Sequence, residues 1–183
     1  MKTYLRVMDV MTKKPTVVGP DSLLEYSIKL MLKERVGSLI IEENRVLRGI
    51  VTEKDLVEKV VLQRLDPKKT KISKIMNTIL VTVKPDADVL DAVKLMTQYE
   101  IRRLPVVDKE NKLFGMLTIN DVLRVQPELF EMILDKSRLF SSRRDFIDSD
   151  CESCKNYSLV RKINGRFLCQ ECERNERVIN YLR

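Results

Sequence analysis

Gly49-Ile50-Val51-Thr52-Glu53-Lys54-Asp55 returns further along the chain as Gly115-Met116-Leu117-Thr118-Ile119-Asn120-Asp121. Both stretches keep the pattern Gly-x-x-Thr-x-x-Asp, and the residues upstream of them repeat too. At an offset of 65, Met11 falls on Met76, Val18 on Val83 and Pro20-Asp21 on Pro85-Asp86. Lys29-Leu30-Met31 falls on Lys94-Leu95-Met96, and Leu39 on Leu104. One supersecondary unit is used twice.

The unit can be read outward from its heptapeptide. Leu24, Ile28 and Met31 share one helical face, as do Val89, Ala92, Val93 and Met96. Ser22 with Glu25 predicts a capping box at the start of the first helix. Ser38-Leu39-Ile40-Ile41 and Leu104-Pro105-Val106-Val107 are continuous apolar runs, expected of strands buried on both faces. Polar turns at Glu43-Asn44 and Lys109-Glu110-Asn111 lead into second strands, and a second helix opens at Thr52 or Thr118. The unit is β-α-β-β-α and the fold class α+β. A copy of about 55–60 residues buries little core alone, so the two copies should stack. Asp66-Pro67-Lys68-Lys69-Thr70 reads as the joint between them.

The heptapeptide has two readings. Thr at the N-cap with Asp three residues on would start any helix. The same geometry offers free backbone N–H groups and the positive end of a helix dipole to a phosphate. The Asp carboxylate can accept ribose hydroxyls, and the Gly can let a ligand approach the strand backbone. Two copies at matching positions favour the second reading.

On these motifs, with the lead-ins Met8-Asp9-Val10-Met11 and Lys74-Ile75-Met76 and the Leu-Pro-Val-Val-Asp strand at 104–108, residues 8–64 and 74–126 resemble a tandem pair of CBS domains. The resemblance implies a two-fold module with a cleft between the repeats. It implies an adenosine-containing ligand: AMP, ADP, ATP, S-adenosylmethionine or a dinucleotide. Carried over by position, Thr52 and Thr118 would meet phosphate, and Asp55 and Asp121 would hold ribose. The base would lie near Val17 and Val18 or Thr82 and Val83. Arg102 and Arg103, just before the Leu-Pro-Val-Val strand, would contact phosphate. The first copy has Gly37-Ser38 at the positions of those arginines, which predicts one strong nucleotide site and one weak or empty one. The family also implies a homodimer.

All four cysteines lie near the C-terminus, as Cys151-x2-Cys154-x14-Cys169-x2-Cys172. Paired Cys-x2-Cys knuckles in a reducing compartment read as a metal site. Asn164-Gly165 between apolar-rich runs is a hairpin signal that would bring both knuckles to one ion. Residues 149–183 therefore read as a zinc-ribbon-like domain. Zn2+ is the default ion and iron, in a rubredoxin-like site, its rival. Four thiolates leave no open coordination position, so the metal reads as structural. Residues 127–148 read as a linker helix, opened by Pro127 and striped by Leu129, Phe130, Ile133 and Leu134.

Composition narrows the function classes. No histidine is present, which excludes every His-based acid–base, relay or metal-ligand mechanism. No apolar run reaches the ~18 residues of a membrane span, and the first residues lack a secretory segment, so a cytoplasmic, membrane-free protein is expected. The net charge of +7 sits mostly in the first 120 residues, where a small anion would be served as well as a polyanion. The sequence thus predicts a non-catalytic sensor. It would bind an adenine nucleotide in the repeats and contact an unidentified protein partner through its ribbon. A nucleic-acid-binding regulator and an iron redox protein are the alternatives.

Overall fold

The computed structural model describes residues 3–127 and 147–182, with side chains up to residue 176. The linker helix expected over 127–148 falls almost wholly outside the described residues. After a short α1 (Val7–Val10), the first copy contains β1 (Val17–Val18), α2 (Leu24–Glu34), β2 (Ser38–Glu43) and β3 (Val46–Thr52). It closes with a helical turn, α3 (Glu53–Asp55), that runs on as π-helix through Leu56–Val61. Its sheet has the order β1-β2-β3, with β1 parallel to β2 and β2 antiparallel to β3. Asn44 and Arg45 both take positive φ (53° and 64°) in the β2–β3 turn, as a tight twisted hairpin requires. A 3-10 turn (Ile72–Lys74) leads into the second copy: α4 (Val89–Gln98), β4 (Arg103–Val107), β5 (Leu113–Thr118) and α5 (Ile119–Val125). Its first strand is reduced to a single parallel bridge between Val83 and Val106.

The helix starts depart in part from the sequence reading. Ser22 and Glu25 form no capping box. The N-cap of α2 is Leu23, with no side-chain cap. The free N–H groups of Leu24 and Glu25 instead donate to the carbonyls of Thr70 and Pro67, at 2.9 and 3.0 Å. The joint between the copies caps the helix with its own backbone. In the second copy Asp88 is a side-chain cap, accepting from Leu90 N and also from Thr3 N.

The lead-ins are exchanged between the copies. Val7 N and Met8 N donate to Ala87 and Pro85 of the second copy, while Ile72 N and Ser73 N donate to Ser22 and Pro20 of the first. Thr12 bridges Met116, and Asn77 bridges Ile50. Accordingly Val7 and Met11 are buried in the second copy's core beside Met96, Leu104 and Val122. Ile72 and Ile75 are buried in the first copy's core beside Leu24, Leu39 and Val51. A third cluster (Ile40, Leu47, Val107 and Met116) joins the two sheets.

This exchange gives the heptapeptide glycines a role different from ligand approach. A Cβ on Gly115 would lie 2.6 Å from Thr12 O and 2.7 Å from Met11 Sδ, and one on Gly49 would lie 2.9 Å from Asn77 O. Each glycine makes room for the other copy's lead-in. Gly115→Ala is therefore expected to destabilise the fold by about 1–3 kcal/mol, the usual cost of overpacking. Chemical denaturation measures this, and an unchanged midpoint would show that the close approach is not needed.

The C-terminal unit is an antiparallel sheet of β6 (Ile147–Asp150), β7 (Tyr157–Ile163) and β8 (Arg166–Cys169), in that order. It is followed by α6 (Gln170–Leu182). The hairpin turns at Asn164 and Gly165, both with positive φ (47° and 87°), as the Asn-Gly pair required. The helix that starts inside the second knuckle, between Cys169 and Cys172, has no signal in the sequence reading.

Candidate functional site

Each heptapeptide does form a capping box. Thr52 Oγ1 accepts from Asp55 N at 3.3 Å, and Asp55 Oδ2 accepts from Thr52 N and Oγ1 at 2.7 and 2.6 Å. The second copy repeats this: Asp121 N to Thr118 Oγ1 is 3.2 Å, and Thr118 N to Asp121 Oδ2 is 2.9 Å. The copies differ in the remaining oxygen. Asp55 Oδ1 accepts from Asn77 Nδ2 at 3.0 Å and lies 3.6 Å from Lys59 Nζ, and Asp55 is buried. Asp121, half-buried, uses only Oδ2 among the described residues.

The cleft beside the first capping box has a volume of about 550 Å³, within the usual range of small-molecule sites. It is composite. Thr52 and Asp55 come from the first copy; Arg102 and Arg103 come from the second. Gly37 and Arg102 hold equivalent positions in the repeat, and both line the cleft. A Cβ on Gly37 would lie 2.7 Å from Arg103 Nη2 and 3.0 Å from Glu53 Oε2. The glycine in one copy thus leaves space for the arginine of the other. Burial pushes the Arg103 guanidinium below its ordinary range, with Glu53 and Asp55 pulling the other way. A guanidinium in that state gains from an anionic partner.

Of the sequence-predicted residues, Thr52, Asp55, Arg102 and Arg103 share this cleft, while Thr118, Asp121, Val17, Val18, Thr82 and Val83 do not line it. Thr118 and Asp121 cap α5. Val17 is exposed on β1, and Val18 and Val83 belong to the two cores. The segment that reaches the cleft is the irregular stretch Ile79–Val81, just before Thr82. Sequence reasoning missed the contribution of the C-terminal unit, whose helix α6 lines the cleft with Glu171 and Arg174. Glu171 Oε1 pairs with Lys59 Nζ at 2.8 Å, and Lys54 Nζ donates to Gln170 Oε1. No local sequence signal marks a contact made across more than a hundred residues.

The four cysteine sulfurs lie within 4.8 Å of one another. A tetrahedral ion with bonds of about 2.3 Å to sulfur separates its ligands by about 3.8 Å, and Cys154 Sγ and Cys169 Sγ are 3.9 Å apart. The donor set fits Zn2+ or iron. Backbone N–H groups point at the sulfurs, from Cys169 to Cys151 Sγ at 3.3 Å and from Cys172 to Cys169 Sγ at 3.5 Å, as the donors that orient thiolate ligands around a metal do. Burial pushes the Cys151 thiol up, but hydrogen bonds from the backbone of Cys154, Cys169 and Ser153 outweigh it and hold the group at about 7. Burial pushes Cys169 up to about 11 and Cys172 higher still. Bound metal would stabilise all four as thiolates.

No helix among the described residues is long and apolar enough to cross a membrane. The CBS domain model matches residues 7–62 and 72–128. An uncharacterized protein of Methanopyrus kandleri is 36% identical over 173 residues, covering 90% of this chain and 86% of its own; that span reaches beyond the repeats into the C-terminal unit. A CBS domain pair solved in complex with 5′-methylthioadenosine and S-adenosyl-L-methionine is 26% identical, with a TM-score of 0.62, covering 68% of this chain and 98% of its own. CBSX2, solved in complex with AMP, is 30% identical, with a TM-score of 0.59, covering 68% of this chain and 98% of its own. The paired repeats, their crossed lead-ins and these likenesses agree: the chain belongs to the CBS-domain family.

Proposed function

We propose that the chain is a non-catalytic sensor that binds an adenosine-containing ligand in the cleft between its repeats. The observation that carries this is the meeting of Thr52 from one copy with Arg102 and Arg103 from the other in a single cavity. Thr52 and the arginines would take the phosphate or carboxylate end. The apolar segment Ile79–Val81 would take the base. Asp55 would accept ribose hydroxyls only by exchanging Asn77 or Lys59 for the ligand. The relatives solved with AMP and with S-adenosyl-L-methionine support the ligand class. Thr118 and Asp121, with the strand at Val17, would form the weaker second site; Thr82 would stay beside the base in the first, and Val18 and Val83 belong to the cores. The four-cysteine unit would hold Zn2+ in a structural role and offer a surface to a protein partner.

The test is titration calorimetry of the metal-loaded protein with AMP, ATP and S-adenosylmethionine. One strong site for one of them is expected. Two equal sites would refute the asymmetry, and no heat with any of them would remove the sensor reading. The nucleic-acid alternative loses support from the structure of the hairpin. Arg161 pairs with Glu173 and approaches Glu100 at 3.8 Å, and Arg166 pairs with Glu176 at 2.7 Å, so both hairpin arginines face carboxylates rather than an open basic surface. Iron would announce itself as a visible absorption band bleached on reduction.

A further inference from the structure

The four-cysteine unit is docked over the ligand cleft, and its helix forms one of the cleft's walls. Gln170, Glu171, Glu173, Arg174 and Asn175 of α6 line the same cavity as Thr52, Arg102 and Arg103. The contact is built from half-buried charges. Lys59, with 15% of its side chain exposed, joins Glu171, with 27% exposed. The same Lys59 Nζ donates to Ile75 O at 3.0 Å and to Asn77 Oδ1 at 2.6 Å, beside Asp55 Oδ1. One lysine therefore links the capping box of the first repeat, the exchanged lead-in of the second and the start of α6.

The position of α6 depends on the metal knuckles. The helix starts directly after Cys169 and carries Cys172 in its first turn. The fully buried side chains of the unit are Cys151, Val160 and Leu168, with Glu173 nearly so. A core that small does not hold a helix in place without the ion. The wall also contains a donor without a partner: Arg174 Nε is buried and makes no hydrogen bond among the described residues. Its neighbours on the wall are otherwise engaged, Glu171 with Lys59 and Glu173 with Arg161. A buried guanidinium N–H left unmade is costly, and an anionic group in the cleft, which Arg174 lines, would satisfy it once the side chain turns outward.

We infer that the metal-loaded unit is part of the ligand site, that Arg174 donates to the anionic end of the ligand, and that metal and ligand therefore bind with positive coupling. This inference rests on the sensor reading above. Coupling through a shared element is reciprocal: whatever factor the metal adds to ligand affinity, the ligand adds to metal affinity.

The experiment is calorimetry with AMP and S-adenosylmethionine on the full chain in three forms: zinc-loaded, chelator-treated, and zinc-loaded Arg174→Gln. A competition titration of zinc against a chromophoric chelator, with and without the nucleotide, completes it. The expected result is affinity about tenfold weaker in the chelated form and a matching tightening of zinc by the nucleotide. Arg174→Gln should lose affinity while keeping full zinc stoichiometry and an unchanged melting temperature. Equal affinity in the loaded and chelated forms would overturn the coupling and leave the sensor reading standing. Tighter binding after chelation would overturn it in the other direction, making the unit a competing flap. Wild-type affinity in Arg174→Gln would overturn the assignment of that residue. Absence of binding in every form would sink the sensor reading, and this inference with it.

Discussion

Removing the metal, by chelation or by Cys154→Ser, is expected to unfold the C-terminal unit and leave the repeats folded. The unit's core is Cys151, Val160 and Leu168, packed against partly buried Ile163 and Phe167. The sheet β6-β7-β8 has three strands of four to seven residues, which is near the lower limit for independent stability. Metal binding contributes about 10–16 kcal/mol to folds of this size, far more than three buried side chains can at about 1.5–3 kcal/mol each. The repeats, by contrast, have their own clusters, built on Leu24, Leu39 and Val51 and on Met96, Leu104 and Val122. Hydrogen exchange is the measurement. Amides of Val160 and Leu168 should lose protection on chelation while those of Leu39 and Leu104 keep it. Protection of Val160 that survives metal removal would mean that the unit folds by burial after all.

Arg103→Ala should remove half or more of the stabilisation that an adenosyl ligand confers. A ligand at 100 times its dissociation constant adds about 2.7 kcal/mol to a fold it binds exclusively. A hydrogen bond to a charged group is worth about 1.5–3 kcal/mol, so losing the guanidinium weakens binding roughly 10- to 100-fold and removes much of that increment. Without ligand the variant should be about as stable as the parent, since the burial that depresses the guanidinium offsets the support it has from Glu53 and Asp55. Gly37→Val should give the same phenotype without touching the arginine, because its side chain would occupy the place of Arg103 Nη2. Thermal unfolding with and without AMP decides the matter. An unchanged ligand-induced shift in Arg103→Ala would place the phosphate elsewhere.

The features legible in the sequence were those specified within a few residues. Thr52 with Asp55, and Thr118 with Asp121, start helices because a hydroxyl and a carboxylate three residues apart satisfy each other's backbone. Asn164-Gly165 turns a hairpin because both positions need positive φ. The two Cys-x2-Cys pairs converge because that hairpin folds them together. The features that were illegible depend on which distant segment arrives. Ser22 had the pattern of a cap, yet carbonyls of Pro67 and Thr70 took the place of its side chain. Gly49 and Gly115 looked like openings for a ligand and instead admit Met76-Asn77 and Met11-Thr12. The arginines of the second copy line the same cleft as the capping box of the first, a meeting that depends on how the copies stack. The docking of α6 on Lys54 and Lys59 joins charges that, in sequence, look like ordinary solvated side chains.

The exchange of lead-ins also bears on the order in which the chain can fold. In solenoid repeats each unit touches only its neighbours, and structure can spread from any of them. Here the amide of Thr3 is held by Asp88, 85 residues away, and Val7 has its seat among side chains that begin at Val83. The first repeat in turn lacks Ile72 and Ile75 until the chain has passed the joint between the copies. Contacts this distant carry loop-closure entropy before they return any burial. The nascent chain can therefore close the first core as soon as Ile75 and Met76 have been added, but the second keeps Val7 and Met11 waiting until Val122 is made.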